Sequence, residues 1–162
     1  MKLFDLHCDT LTECYRRQET LLENQGHVDL IRGGKLGAWA QLYAVWIPDE
    51  VRGEAAFEYC CAVLDFARAQ AEQYADRLRI VSDPKGLKET LDTGLCAGIL
   101  TVEGGAALAG DLRHLDDLAA RGVKLITLTW NGTNELGHGC LSGCPDGLTP
   151  FGKAAVKCRR LY

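Results

Sequence analysis

His7 and Asp9 stand two residues apart at the end of the run Lys2-Leu3-Phe4-Asp5-Leu6-His7-Cys8-Asp9-Thr10. Alternate side chains of an extended strand share a face, so the imidazole and the carboxylate point the same way. A nitrogen and an oxygen donor side by side suit a divalent metal such as zinc. Glu103 closes a second apolar run, Leu95–Val102, and Gly104-Gly105 behind it let the backbone turn and leave room beside the carboxylate. A carboxylate so placed could bridge two metals or act on water held by one. Trp130 and Asn131 follow a further run, Val123–Thr129. Blander roles compete. Asp9 could cap the next helix with Thr10, His7 could be a satisfied core histidine, and Glu103 could be a loop carboxylate.

Other donors are weaker. His138, Cys140 and Cys144 offer three zinc-type ligands where a structural site takes four, so a glycine-rich loop with thiols is the simpler reading. Cys60-Cys61 fall on an apolar helix face and read as core. His27 and His114 read as surface residues. No G-x-G-x-x-G fingerprint or P-loop occurs.

The elements that must hold these residues alternate in type. Thr10 starts a helix running to about Leu22, and a turn of helix is expected at Asp29. Ala38–Ile47 is apolar at nearly every position, as in a strand buried on both faces. From Gly53 to about Arg77 apolar residues recur at three and four, an amphipathic helix. Arg79–Val81 is a short extended piece. Ser82-Asp83-Pro84 starts a helix that Gly94 ends. Asp111 caps another that Gly122 ends, and Thr149-Pro150 starts the last. Four strands alternating with helices predict a single α/β domain over residues 1–162, with a parallel sheet. In such folds functional groups lie at the carboxyl ends of strands, where His7, Asp9, Glu103, Trp130 and Asn131 fall.

Composition narrows the function classes. Of 162 residues, 47% are hydrophobic and 25% charged, the mix of an ordinary globular domain. The formal net charge is −4 with Lys and Arg scattered, which argues against a nucleic-acid surface. No signal peptide is visible, and no run reaches the roughly 18 apolar residues of a membrane span. A cytoplasmic chain is expected, with its 8 cysteines as free thiols.

Four stretches carry a family likeness: Asp5–Leu11, Thr101–Gly105, Leu125–Gly132 and Gly147–Lys153. In this order and spacing they resemble the membrane dipeptidase (renal dipeptidase-like) family of zinc peptidases, among the amidohydrolase-like barrels. The likeness runs to about Val156. It implies a TIM (β/α)8 barrel that hydrolyses dipeptides by a metal-bridged hydroxide between two zinc ions. It further implies that His7 and Asp9 ligate one zinc, that Glu103 bridges both, and that Trp130 and Asn131 meet the substrate. Trp130 stands where better-known members carry a substrate-contacting His, which implies altered specificity.

Length limits what is implied. A (β/α)8 barrel takes about 250 residues, so four βα units make half of one. The family's two further zinc histidines, its substrate-binding Arg and its later catalytic Asp lie beyond the fourth helix. At most one zinc is therefore expected here, with hydrolysis incomplete or lost and no residue assigned as catalytic. The tail Val156–Tyr162 departs from the family's helix and reads as a truncated or frameshifted end. Unpaired edges on the first and fourth strands predict a marginal monomer and a homo-oligomer. Two alternatives stand beside the dipeptidase: a deoxyribonuclease- or esterase-like hydrolase of the same superfamily, and a non-catalytic metal-binding fragment.

Overall fold

A computed structural model describes residues 3–158. The first strand, β1, spans Leu3–Cys8, and Lys2 at the start of the expected run lies outside the described residues. Helix α1 (Thr10–Arg17) follows at once and stops short of Leu22. Gln18 turns left-handed at φ 56°, and its N–H returns to the carbonyls of Cys14 and Tyr15, which ends the helix. Helix α2 (Leu30–Gly34) is the turn expected at Asp29, whose carboxylate accepts the Arg32 N–H at 2.6 Å. Strand β2 (Trp39–Trp46) is buried along nearly its whole length, as its apolar run requires.

Helix α3 (Glu54–Gln73) ends four residues before Arg77. The extended piece forms a short strand, β3 (Leu78–Ile80). Asp83 caps α4 (Pro84–Asp92) by accepting the Gly86 N–H at 2.8 Å, with proline inside the first turn. Strand β4 (Cys96–Glu103) leads into a 3-10 turn over Gly105–Leu108. Asp111 accepts the Arg113 N–H at 2.8 Å, yet the helix begins only at α5 (Arg113–Ala120), with Leu112 in the cap position. Strand β5 (Val123–Thr127) ends two residues earlier than its apolar run. Thr149 caps α6 (Pro150–Lys157) through the Gly152 N–H at 3.0 Å. Residues 159–162 of the divergent tail lie outside the described residues.

The strands form one sheet in the order β1-β2-β4-β3, with β5 also paired to β4. The pairs β1–β2 and β3–β4 are parallel. Four strands are the long ones read from the sequence, and β3 is a short fifth. The architecture is α/β with parallel strands, in keeping with part of a TIM-like barrel.

Backbone contacts divide the chain into two compact units, Met1–Val45 with Val63–Thr101 and Trp46–Ala62 with Val102–Tyr162. In the first, Leu11, Tyr43, Leu64, Leu78 and Leu100 are fully buried. Two buried hydroxyls tie helix and strand to β2: Thr12 donates to the Ala44 carbonyl at 3.1 Å and Thr101 to that of Tyr43 at 3.3 Å. In the second, Leu108, Leu118, Val123 and Leu136 are among the buried residues. All eight cysteines are free thiols, as expected. Among the described residues no helix is long and apolar enough to cross a membrane.

Candidate metal centre

The end of β1 carries the first two donors. His7 Nε2 and Asp9 Oδ1 lie 3.3 Å apart, with the two side chains 47% and 53% exposed. His7 is therefore no core histidine. Asp9 occupies the cap position of α1, but its side chain makes no capping hydrogen bond; it turns to the imidazole instead. Donors about 2.0–2.1 Å from a tetrahedral ion stand about 3.3 Å from each other, so this pair fits two vertices of one cation. The intervening Cys8 points into the fold. Burial pushes its thiol up to about 11, so at neutral pH it is protonated and a poor ligand.

The same unit fixes the level of the neighbouring strands. Cys8 is in register with Tyr43 of β2, and the Thr101 hydroxyl of β4 donates to the Tyr43 carbonyl. A cavity of about 510 Å³ opens beside the pair, lined by His7, Asp9, Glu13, Arg17, Glu19 and His27, among others. His27 is exposed, as expected, and faces this space.

The second unit holds the end of β4. Glu103 is half-buried, and its carbonyl accepts the Ile47 N–H at 3.0 Å. Gly104 takes φ 102°, a conformation that disfavours any side chain. A Cβ on Gly105 would meet the Leu128 carbonyl at 2.7 Å. The two glycines thus make the sharp turn read from the sequence. Trp130 is 37% exposed and meets Trp46 edge-on, ring centroids 5.2 Å apart. Asn131 is half-buried, and its Oδ1 accepts from the Cys140 thiol at 3.6 Å.

Three further residues were legible only in part. His114 is not a surface residue: it is 12% exposed and stacked flat on Phe57 at 3.6 Å. Its Nδ1 lies 2.9 Å from the Leu108 carbonyl. The i+3 spacing from Asp111 hides this, because the stacking partner comes from α3. Asn134 is buried and organises the loop after β5. Its amide donates to the Leu128 carbonyl at 2.9 Å and accepts from the Leu136 and Gly137 N–H groups. Arg52 braces that loop by donating to the Thr133 carbonyl. An Asn in a glycine-rich loop was the only sequence signal. His138, Cys140 and Cys144 do not assemble into a ligand set among the described residues. Their polar atoms instead meet Thr133, Asn131 and Asp146.

Known proteins share this fold. The crystal structure of the dipeptidase AC, a metallo peptidase of family M19, matches with a TM-score of 0.85 at 24% identity, over 99% of this chain and 54% of that one. A metallo peptidase from Rhodobacter sphaeroides, liganded with a phosphinate mimic of the dipeptide L-Ala-D-Ala, gives 0.85 at 23% over 99% and 56%. An uncharacterised protein in the PQQ-III 3′ region of Acinetobacter calcoaceticus is 25% identical over 96% of this chain and 59% of its own. The chain thus spans little more than half the length of these relatives. The family model for membrane dipeptidases, peptidase family M19, matches residues 1–160, and the chain belongs to that family.

Proposed function

We propose that the chain carries part of a zinc-dependent dipeptidase centre in which His7, Asp9 and Glu103 offer donors to a single divalent cation. The observation that carries the reading is the His7–Asp9 pair, 3.3 Å apart at the end of β1 and not used for capping. Strand order supports Glu103 as the third donor. Asp9 lies one residue past the Cys8–Tyr43 level, and Glu103 lies two past Thr101, which is bonded to the same Tyr43. A bound zinc ion would polarise a peptide carbonyl and acidify water. His7 and Asp9 hold and orient it. Trp130, braced by Trp46, offers an apolar wall to a substrate side chain, and Asn131 offers amide hydrogen-bonding groups to a peptide.

The substrate class is a dipeptide or small peptide, with no nucleic-acid or membrane partner. The eight free thiols accord with a cytoplasmic chain. Self-association through an open sheet edge, and a single domain over the whole chain, belong to the same reading. A second reading is a metal-binding chain without turnover, because the donor group among the described residues is His7, Asp9 and Glu103, enough for one cation.

Purified chain loaded with zinc is to be assayed on L-Ala-D-Ala, and turnover that Asp9→Asn and Glu103→Gln abolish would support the dipeptidase reading. Stoichiometric zinc uptake without turnover would support the second reading. Turnover of DNA or simple esters but not dipeptides would support the other superfamily hydrolases. Absence of both zinc uptake and hydrolysis would reject the metal centre.

A further inference from the structure

One short stretch of the loop after β5 is laid against Asn131. Leu141 donates its N–H to the Asn131 carbonyl at 3.0 Å, and Gly139 donates to the Gly132 carbonyl at 2.9 Å. Gly139 approaches so closely that a Cβ there would stand 2.5 Å from the Asn131 carbonyl carbon. The Ser142 N–H returns to the Gly139 carbonyl at 3.1 Å and closes the stretch into a turn. Cys140 lies between these two anchored neighbours, so the main chain places its side chain beside that of Asn131.

The Cys140 thiol donates to Asn131 Oδ1 across 3.6 Å. With the amide turned over, two N–H donors would meet a sulfur that accepts only weakly. Asn131 Nδ2 makes no hydrogen bond among the described residues, and the amide torsion of an asparagine is broad and nearly two-fold. The thiol is thus the contact that tells the two ends of this amide apart. A dipeptide offers both kinds of partner: acceptor oxygens on its carboxylate and peptide carbonyl, donors on its ammonium and amide N–H. An amide held by its oxygen presents only a donor to them.

We propose that Cys140 is a positioning residue for Asn131. Its thiol holds Oδ1 and leaves Nδ2 to donate, so this position takes an acceptor oxygen of the bound peptide and not its ammonium group. The substrate half of the proposal rests on the reading in which Asn131 meets a dipeptide; the positioning of the amide does not.

The test is NMR of the full 162-residue chain with labelled nitrogen, the Asn131 side-chain amide being identified by its loss in Asn131→Asp. Cys140→Ala should shift that signal, and Cys140→Ser, which keeps a donor, should move it back toward the wild type. Cys144→Ala, whose thiol meets Asp146, should leave it in place. Zinc-loaded protein is then titrated with a phosphinic dipeptide analogue, which is not hydrolysed. Kd should rise about threefold in Cys140→Ala, with partial recovery in Cys140→Ser and a larger rise in Asn131→Asp. An analogue without the terminal carboxylate separates the two oxygens. An Asn131 signal that still responds to it assigns the contact to the reacting centre, and one that does not assigns it to the carboxylate; both are acceptor contacts. Circular dichroism matching the wild type would show that the variants fold. An Asn131 signal or a Kd unmoved by Cys140→Ala, or wild-type affinity in Asn131→Asp, would overturn this proposal alone. A folded, zinc-loaded wild type that does not bind the analogue would overturn the dipeptidase reading and the substrate half with it, while the response to Cys140→Ala would still decide the positioning.

Discussion

Asp9 sits where a helix cap belongs and makes no capping bond, whereas Asp29, Asp83 and Thr149 at comparable positions all do. The sequence could not separate the two roles, because both need a carboxylate just before a helix. The choice is made by the backbone: at φ −87°, ψ 4°, Asp9 is outside the extended conformation from which a cap reaches forward. Asp9→Ala should therefore cost little stability, less than about 0.5 kcal/mol, while removing metal uptake. Asn134 is the opposite case. Its buried amide satisfies three backbone groups of one loop, so Asn134→Ala should destabilise the fold by about 2 kcal/mol in urea unfolding. An effect within error would show that the loop is held by other contacts.

At the scale of elements, the helices with proline and a capping residue were the easiest to read. Those at Asp83-Pro84 and Thr149-Pro150 begin where the sequence places them. Helix α1 was overrun because no glycine announces its end; Gln18 adopts the left-handed conformation itself. The start of α5 slipped because Asp111 bonds the Arg113 N–H two residues on, an Asx turn and not a cap. Close packing around α6 was invisible from pattern. A Cβ on Gly152 would lie 1.9 Å from the Leu136 carbonyl oxygen, so either α6 or the loop must move. Gly152→Ala should lower stability by about 2–4 kcal/mol, read as a drop in thermal midpoint. Gly34→Ala, where the added methyl meets nothing within 4 Å, is the control and should be close to neutral.

For the whole molecule, parallel α/β architecture was legible because apolar strand runs and amphipathic helices alternate. The placement of His7, Asp9 and Glu103 at strand ends followed from that alternation. What the pattern could not supply was side-chain partnership across long separations, such as His114 on Phe57 or Thr12 on Ala44.

The thiols give a test of the core as a unit. Burial, the first cause in each case, pushes Cys14 and Cys96 up to about 12. An unfolded thiol titrates near 8.5, so above that pH the unfolded chain loses protons that the folded chain keeps. Stability from this source is complete below about pH 8.5 and falls as pH rises toward 12, which urea titrations across that range should show. At pH 8, exposed Cys140 should be alkylated well before buried Cys14, Cys60 and Cys96; equal rates by peptide mass mapping would mean that the core is open.

The central claim is that His7, Asp9 and Glu103 together hold a divalent cation. Calorimetric titration of zinc into metal-free protein tests it most directly, with the wild type compared with His7→Ala, Asp9→Asn and Glu103→Gln. The account predicts one tight site per chain in the wild type and at least about a tenfold loss of affinity for each substitution, with the folded spectrum unchanged. Zinc binding that survives all three substitutions, or is absent from the folded wild type, would contradict it.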